Sequence, residues 1–322
     1  MSPNSRSKPP PTLDSFQDYV EAMQNAPTRR SQIPPANAPV GRIQVRRFAG
    51  PEAFAEKISH IRIAHLTDIH VGRVTPMKVQ FAAAQLTNEA KPDLVVITGD
   101  FVCHGHKFLD ELYETIKRIH SPVLAVLGNH DHWAGAGEVR DTLRRAGALV
   151  LDNVNTVVTI RGDKLQIVGL DDAYTGHADR DRALKGLRTD LPTLGLSHIA
   201  EEADRLWPKG VQLVLSGHTH AGQITVARLH ELAIGKIAGH KYVHGLYGTR
   251  TRGAEPGGAV YVGAGIGAAV MPLRFGERGQ REIALFDLGA VPGTIVEHHR
   301  EQKPLQGRKP TARAIARRKI LP

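Results

Sequence analysis

The sequence predicts an α/β fold of two mixed sheets packed face to face with helices outside, and three observations carry that expectation. Short apolar runs alternate with helical patterns through the first half of the chain, as βαβ units require. The second half is richer in strands than in helices. Gly (32) and Pro (20) are plentiful while aromatic residues make up only 5%, which suits a loop-rich α/β protein better than a helical bundle.

Taken in order, residues 1–41 contain PPP at 9–11 and IPPANAP at 33–39, offer little to bury, and are expected to form a disordered lead. The ordered domain is expected over residues 42–290. IRIAHLTD (61–68) reads as a buried strand. Residues 76–91 follow as an alanine-rich helix with Pro76 in its first turn. LVVITGD (94–100) is a second strand, 108–120 a second helix, VLAVLGNHD (123–131) a third strand and 138–146 a third helix. This order implies a parallel sheet with right-handed crossovers. Strands are then expected at 154–160, 164–170, 193–198, 211–218, 259–265 and 281–288, with one helix near 199–207.

Composition excludes several classes. The chain has 322 residues with 41% hydrophobic content, enough for one large domain or two modest ones. Its longest apolar runs, at 94–98 and 259–264, fall far short of the ~20 residues that span a membrane. Residues 1–41 hold no apolar segment of the signal-peptide kind, so a cytoplasmic location is expected. The single cysteine, Cys103, rules out an intramolecular disulfide and a thiolate-rich zinc site.

The net charge is +10, but most of it is local. Residues 298–322 carry eight Lys or Arg against one acid, Glu301. Segment 291–322 is therefore expected to be a basic, disordered tail, with a peripheral contact to anionic lipid or nucleic acid as its other use. It has no aromatic residue, which argues against stacking on single strands. No obligate protein partner is expected.

Five apolar runs end in residues of metal-ligand type: Asp68-Ile69-His70, Gly99-Asp100, Gly128-Asn129-His130-Asp131, Ser197-His198 and Gly217-His218-Thr219-His220. Ligands gather at the carboxyl ends of strands in open α/β sheets, so these side chains would converge on one edge. The glycines before Asp100, Asn129 and His218 permit a sharp turn or a close backbone approach. A lone Gly-Asp is usually a turn, and a lone strand-end His is usually a packed core residue. GNHD and GHTH are harder to explain by packing, and all five together make coincidence a poor account.

The candidate metal ligands are Asp68, His70, Asp100, Asn129, His198, His218 and His220. They mix carboxylate, imidazole and amide oxygen without thiolate, which suits Mn²⁺, Fe or Zn²⁺. Seven donors are too many for one ion, and a bridging carboxylate would divide them into two four-ligand sets. Asp131, His104, His132 and Asp172 are expected to line or support the site. His65 reads as a core histidine, and Cys103 and His106 as neighbours rather than ligands. Trp133 could shape the entrance, Asp171 could orient a loop, and His240 and His244 lie in a Gly-rich stretch that could form a flap.

With these residues in view, the chain resembles the calcineurin-like metallophosphoesterase superfamily, and most closely its bacterial branch with DxH, GD, GNHD, a strand-end SH and GHTHxGQ. The likeness runs from about 61 to 288 and includes GLDDAYTGHAD (169–179), GLYGT (245–249) and VGAGIGAAVMPLRFGERGQREIALFDL (262–288). It implies a four-layer α/β/β/α sandwich. It implies Asp68, His70 and His220 on one metal ion, Asn129, His198 and His218 on a second, and Asp100 bridging. His130 would be the catalytic histidine near the phosphate, oriented by the carboxylate of Asp131 or Asp68. The chain departs from the branch at Ala221, where a second glycine is common, and in IAEEAD after His198.

The resemblance implies hydrolysis of a phosphodiester or pyrophosphate by a metal-bridging hydroxide, with a small phosphoester or a nucleotide- or lipid-linked pyrophosphate as substrate. A phosphomonoesterase or a nuclease-type enzyme is the alternative. A non-catalytic binding module is disfavoured because no ligand is missing. A lipid substrate would call for an exposed apolar flap in 235–275, at Ile237, Val243, Leu246, Tyr247, Val270 and Met271.

Overall fold

The computed structural model describes residues 17–18, 43–103, 105–222, 239–268, 279–306 and 311–318. Along the chain come β1 (Ile43–Ala49), α1 (Glu52–Ala55), β2 (Arg62–Leu66), α2 (Met77–Glu89), β3 (Leu94–Thr98), α3 (Leu109–Lys117), β4 (Val123–Val126), α4 (Asn129–Arg145) and β5 (Ala148–Val150). The second half holds β6 (Val154–Ile160), β7 (Asp163–Gly169), α5 (Arg180–Ala183), β8 (Thr193–Leu196), α6 (Ala203–Leu206), β9 (Leu213–Ser216), β10 (Gly245–Gly248), β11 (Ala259–Val262), β12 (Arg281–Asp287) and α7 (Ala312–Arg318).

Two six-stranded sheets result, ordered β1-β12-β2-β3-β4-β5 and β10-β11-β9-β8-β7-β6. In the first, β12 is antiparallel to β2 while β2, β3, β4 and β5 are parallel. In the second, β7, β8, β9 and β11 are parallel, and the edge strands β6 and β10 pair antiparallel. Both sheets are mixed, as expected.

Alternation along each strand sorts side chains between two cores. In β3, Leu94 and Val96 enter the layer between the sheets, where they meet Ile167, Leu194, Leu215 and Tyr261. Val95 and Ile97 face outward onto Val79 and Ala83 of α2 and Leu112 and Ile116 of α3. A third cluster covers the outer face of the second sheet, where Val168, Val214 and Val260 pack against Ala203, Leu206 and Trp207. Burial on both faces explains why these strands read as continuous apolar runs.

Four differences from the sequence reading have physical causes. The strands β1, β5 and β10 are additions to the sequence reading: β1 has its apolar pattern broken by Gln44, Arg46 and Arg47, while β5 and β10 are only three and four residues long. α4 begins at Asn129 rather than at 138, with a break at Gly135 (φ 111, ψ 87), so GNHD forms a helix start. Packing continues past the expected boundary at 290. Gln302 forms a bridge to Tyr247 and its amide donates to the His244 carbonyl at 2.9 Å, while buried Arg250 pairs with Glu297 and with Glu301 (2.7 Å). Finally, Val243, Leu246 and Tyr247 are buried rather than part of an exposed flap; Ile237, Val270 and Met271 lie outside the described residues.

In the expected N-terminal lead, the side chain of Gln17 pairs with the backbone of Thr159 on edge strand β6, donating at 3.1 Å and accepting at 2.8 Å. The other residues of 1–41 lie outside the described ones.

Candidate metal centre

The carboxyl ends of β2, β3 and β4 in one sheet and of β8 and β9 in the other meet along a common edge. Each strand delivers its donors just after its last paired residue. The turn out of the sheet is made largely by the donors themselves: Asp68 (φ 50), His70 (φ 44), Asp100 (φ 55), His218 (φ 75) and His220 (φ 52) all adopt left-handed backbone. Such residues cost about 1–3 kcal/mol each and persist where surrounding structure over-determines them, typically at functional sites. Gly128 and Gly217 serve close approach instead. A Cβ on Gly128 would lie 2.3 Å from Asp100 Oδ1, and one on Gly217 would lie 2.3 Å from Asp68 Oδ2.

Among the described residues two donor groups form, Asp68 with His70, Asp100 and His220, and Asp100 with His198 and His218. Within each, the ligand atoms lie within 4.8 Å of one another, and Asp100 belongs to both. His220 Nε2 is 3.2 Å from Asp68 Oδ1, and His70 Nε2 is 3.5 Å from Asp100 Oδ2. His198 Nε2 is 3.3 Å from the same Asp100 oxygen and 3.3 Å from His218 Nδ1. Asn129 sits beside them with its buried Oδ1 accepting no hydrogen bond, and Asp68 Oδ1 likewise accepts none.

These observations test whether a metal fits. Buried acceptors without donors are costly, so an electropositive partner is called for. The His70 and His220 Nε2 atoms lie only 3.0 Å apart, nitrogen facing nitrogen, as lone pairs directed at one centre would place them. Two carboxylates, four imidazoles and an amide oxygen make a donor set suited to divalent cations. The residues fit.

The electrostatics point the same way. Burial alone would raise the Asp100 carboxyl, but His198, His130 and His70 hold it well below its usual range. Burial would lower His198, yet the charge and hydrogen bond of Asp100 push it up to about 10. Burial, then His240 and His198, keep His218 well below its usual value. Imidazoles that ligate metal are neutral, so a bound cation would take the place of the proton on His198.

His130 donates its backbone N–H to Asp100 Oδ1 at 2.9 Å. Its Nδ1 lies 2.9 Å from the Cys103 carbonyl, which can only accept, so Nδ1 carries the proton and Nε2 the lone pair. The expectation that Asp131 or Asp68 orients this ring needs correction. Asp131 Oδ1 accepts from the Phe101 and Val102 amides, and its Oδ2 accepts from Gly128 N, tying the loop after β3 to the start of α4. Burial and the charge of Asp100 push the Asp131 carboxyl up to about 7. Asp68 Oδ2 accepts from Thr67 Oγ1 and from the amide of His218.

The remaining candidates separate clearly. His132 Nε2 bonds Asp171 Oδ1 at 2.7 Å and its ring stacks on His177 at 3.9 Å. Asp172 caps the following turn, accepting from Tyr174 N, Thr175 N and Thr175 Oγ1. His104 lies outside the described residues. Buried His65 bonds Thr98, and the Cys103 thiol, which burial pushes up to about 12, faces the Ala268 carbonyl. His240 contacts Glu201 and His218, while His244 bonds Glu282 away from the donors.

Residue-by-residue reading missed the loop behind Asp68. Ile266 N donates to Thr67 O (3.1 Å) and Gly267 N to Asp68 O (2.7 Å), and a Cβ on Gly265 would sit 2.7 Å from Asp68 Cβ. The glycine spacing in VGAGIG was the available signal. Tyr174, packed 4.9 Å from the His218 ring, was also missed.

Residues 61–222 match the family model for calcineurin-like phosphoesterases. The metallophosphoesterase YkuE of Bacillus subtilis is 29% identical over 233 residues, covering 70% of this chain and 78% of that protein. Phosphodiesterase YaeI of Escherichia coli is 30% identical over 201 residues, covering 60% of this chain and 72% of that protein. Among solved structures, a 5'-nucleotidase precursor from Thermus thermophilus aligns with a TM-score of 0.42 and 18% identity over 72% of this chain and 56% of that one. The chain belongs to the calcineurin-like phosphoesterase family and is a metal-dependent phosphoesterase.

Proposed function

We propose that this protein hydrolyses a phosphodiester or pyrophosphate bond with two divalent ions, of Mn, Fe or Zn, at the strand-end site. Asp68, His70 and His220 would hold one ion, Asn129, His198 and His218 the other, with Asp100 shared. The observation that carries the reading is the pair of donor groups meeting at Asp100, with the Asn129 oxygen buried beside them and unmatched. Bound ions supply Lewis acidity, lowering the pKa of water and polarising phosphoryl oxygens.

The chain's own residues do the rest. Asp68 and Asp100 set the negative charge of the site, and Asn129 adds an oxygen donor without adding charge. The five left-handed donors hold their side chains in place before substrate arrives, so little reorganisation is needed. The Cys103 carbonyl fixes the His130 ring with its proton on Nδ1, and Nε2 would be the atom that exchanges protons. A water oxygen bonds to phosphorus as its proton passes to His130 Nε2, the bond from phosphorus to the leaving oxygen breaks, and Nε2 delivers that proton to the leaving oxygen.

A diester or pyrophosphate is favoured over a monoester because a relative of 30% identity is a phosphodiesterase. A cytoplasmic location suits the lone buried cysteine, and among the described residues no helix is long and apolar enough to cross a membrane.

The test is metal analysis of the purified protein together with rates on bis(p-nitrophenyl) phosphate, p-nitrophenyl phosphate and UDP-glucose. Bound transition metal, loss of turnover on chelation, recovery with Mn²⁺ and preference for the diester or pyrophosphate are expected. A protein that binds no transition metal and gains no activity from added Mn²⁺ overturns the reading.

A further inference from the structure

The basic C-terminal segment ends beside the metal donors. α7 is exposed along most of its length, and its last residue docks on two aromatic side chains. Trp133 Nε1 donates to the Arg318 carbonyl at 3.0 Å, and the Arg318 guanidinium lies over the Tyr174 ring at 4.3 Å. Trp133 and Tyr174 touch each other, with ring centroids 6.2 Å apart. Trp133 also packs against His130 at 5.0 Å, and Tyr174 against His218 at 4.9 Å. The Tyr174 ring therefore touches both Arg318 and the candidate donor His218. The turn that presents Tyr174 is fixed by Asp172, which accepts from its amide.

We infer that Arg318 belongs to the substrate site and binds a second anionic group of the substrate, next to the phosphate that is cleaved. This rests on the phosphoesterase reading above and narrows it to substrates with another phosphate or carboxylate close to the scissile bond, as in nucleotide-linked pyrophosphates. Three features support the assignment. The indole-to-carbonyl bond already anchors the helix end, so the guanidinium is not needed for that purpose. The contact with the Tyr174 ring uses none of the guanidinium's hydrogen-bonding capacity, and its N–H groups form the fork that suits phosphate oxygens. Among the described residues no hydrogen bond or ion pair engages those groups, and Arg318 is only partly exposed whereas Arg313 and Arg317 on the same helix are exposed. A tail that served only a membrane or a nucleic acid would act through all its cations, with Arg318 no different from its neighbours.

The experiment measures binding rather than turnover. Methylenediphosphonate and methylphosphonate, which are not hydrolysed, are titrated into the Mn²⁺-loaded full chain with metal in excess, using calorimetry and tryptophan fluorescence. Arg318→Ala is expected to weaken methylenediphosphonate binding about five- to tenfold, the worth of one charge-assisted contact at a partly exposed site. Methylphosphonate binding should change less than about twofold. Arg318→Lys should recover part of the loss, and Arg313→Ala should leave both ligands unaffected. Equal weakening of both ligands, no weakening of either, or the same loss from Arg313→Ala overturns the inference. Hydrolysis of bis(p-nitrophenyl) phosphate by the same preparations reports on the phosphoesterase reading separately, since its absence would leave the two-ligand difference standing.

Discussion

Asp100 and Glu282 are both buried carboxylates with histidines around them, yet they sit in opposite kinds of cluster. Glu282 Oε1 accepts from Tyr261 OH at 2.8 Å and from Ala264 N at 2.9 Å, and its Oε2 lies 3.0 Å from His244 Nε2 and 2.6 Å from Arg46 Nε. Arg46, His244 and Glu282 are each 3% exposed or less. A cation built into the fold closes that cluster, and the backbone around Glu282 is unstrained. Around Asp100 the partners are histidines and a backbone amide, the buried Asn129 oxygen beside it accepts no hydrogen bond, and five of the candidate donors sit at positive φ. Burial and histidine content do not distinguish a structural cluster from a binding site; internal charge balance does.

The difference can be tested by breaking each cluster at its carboxylate. The largest effect is expected from Asp100→Asn, which removes the shared anionic donor. Activity should fall at least about 10³-fold, more than the 10–100-fold typical of outer-shell changes. The rise in Tm on adding Mn²⁺, which follows from ligand binding to the folded state, should vanish with it. An Asp100→Asn protein with full metal content and activity would remove Asp100 from the centre.

Next comes His130→Ala. It should lower kcat about 10²–10⁴-fold while metal content, measured by atomic emission, stays at the wild-type level. Parallel loss of metal and activity would instead make His130 a ligand.

Glu282→Gln should have the smallest effect on turnover per folded molecule and the largest on stability. It leaves Arg46 buried without its counter-charge, at a cost of about 3–5 kcal/mol in urea unfolding. The pH dependence has a definite sign. Burial opposes ionisation of Glu282, but His244 and Arg46 hold its folded pKa below the unfolded value. Its stabilisation is therefore present above about pH 4.5 and lost as pH falls through that range. His65, pushed down to about 3 by burial, adds loss of the same sign below about pH 6.5, because the unfolded chain takes up the proton first. Glu282→Gln should flatten the fall in Tm between pH 5 and 3; an unchanged profile would mean that the cluster is not what titrates.

Much of the site was legible because its residues break a local rule. Asp68, Asp100 and His218 follow apolar runs at the point where a parallel strand must leave its sheet, and polar groups there need a reason. Asp131 was misread because its neighbour in sequence, His130, suggested a partnership, whereas its oxygens reach amides on another strand's loop. The role of the glycines at 265 and 267 was hidden because what they touch, Asp68 and Ile69, lies about two hundred positions away.

The run of strands and helices from β2 to β4, the two-sheet architecture and the candidate donors at the strand ends are legible in the sequence alone, because they rest on periodicities and residue types that act over a few positions. Tertiary structure alone decided that β12 inserts between β1 and β2, that a backbone carbonyl rather than a carboxylate orients His130, and that Arg318 comes to rest on Tyr174. Each is a choice among distant partners, made by which surfaces remain unpaired once the sheets have formed, and no short-range pattern records it.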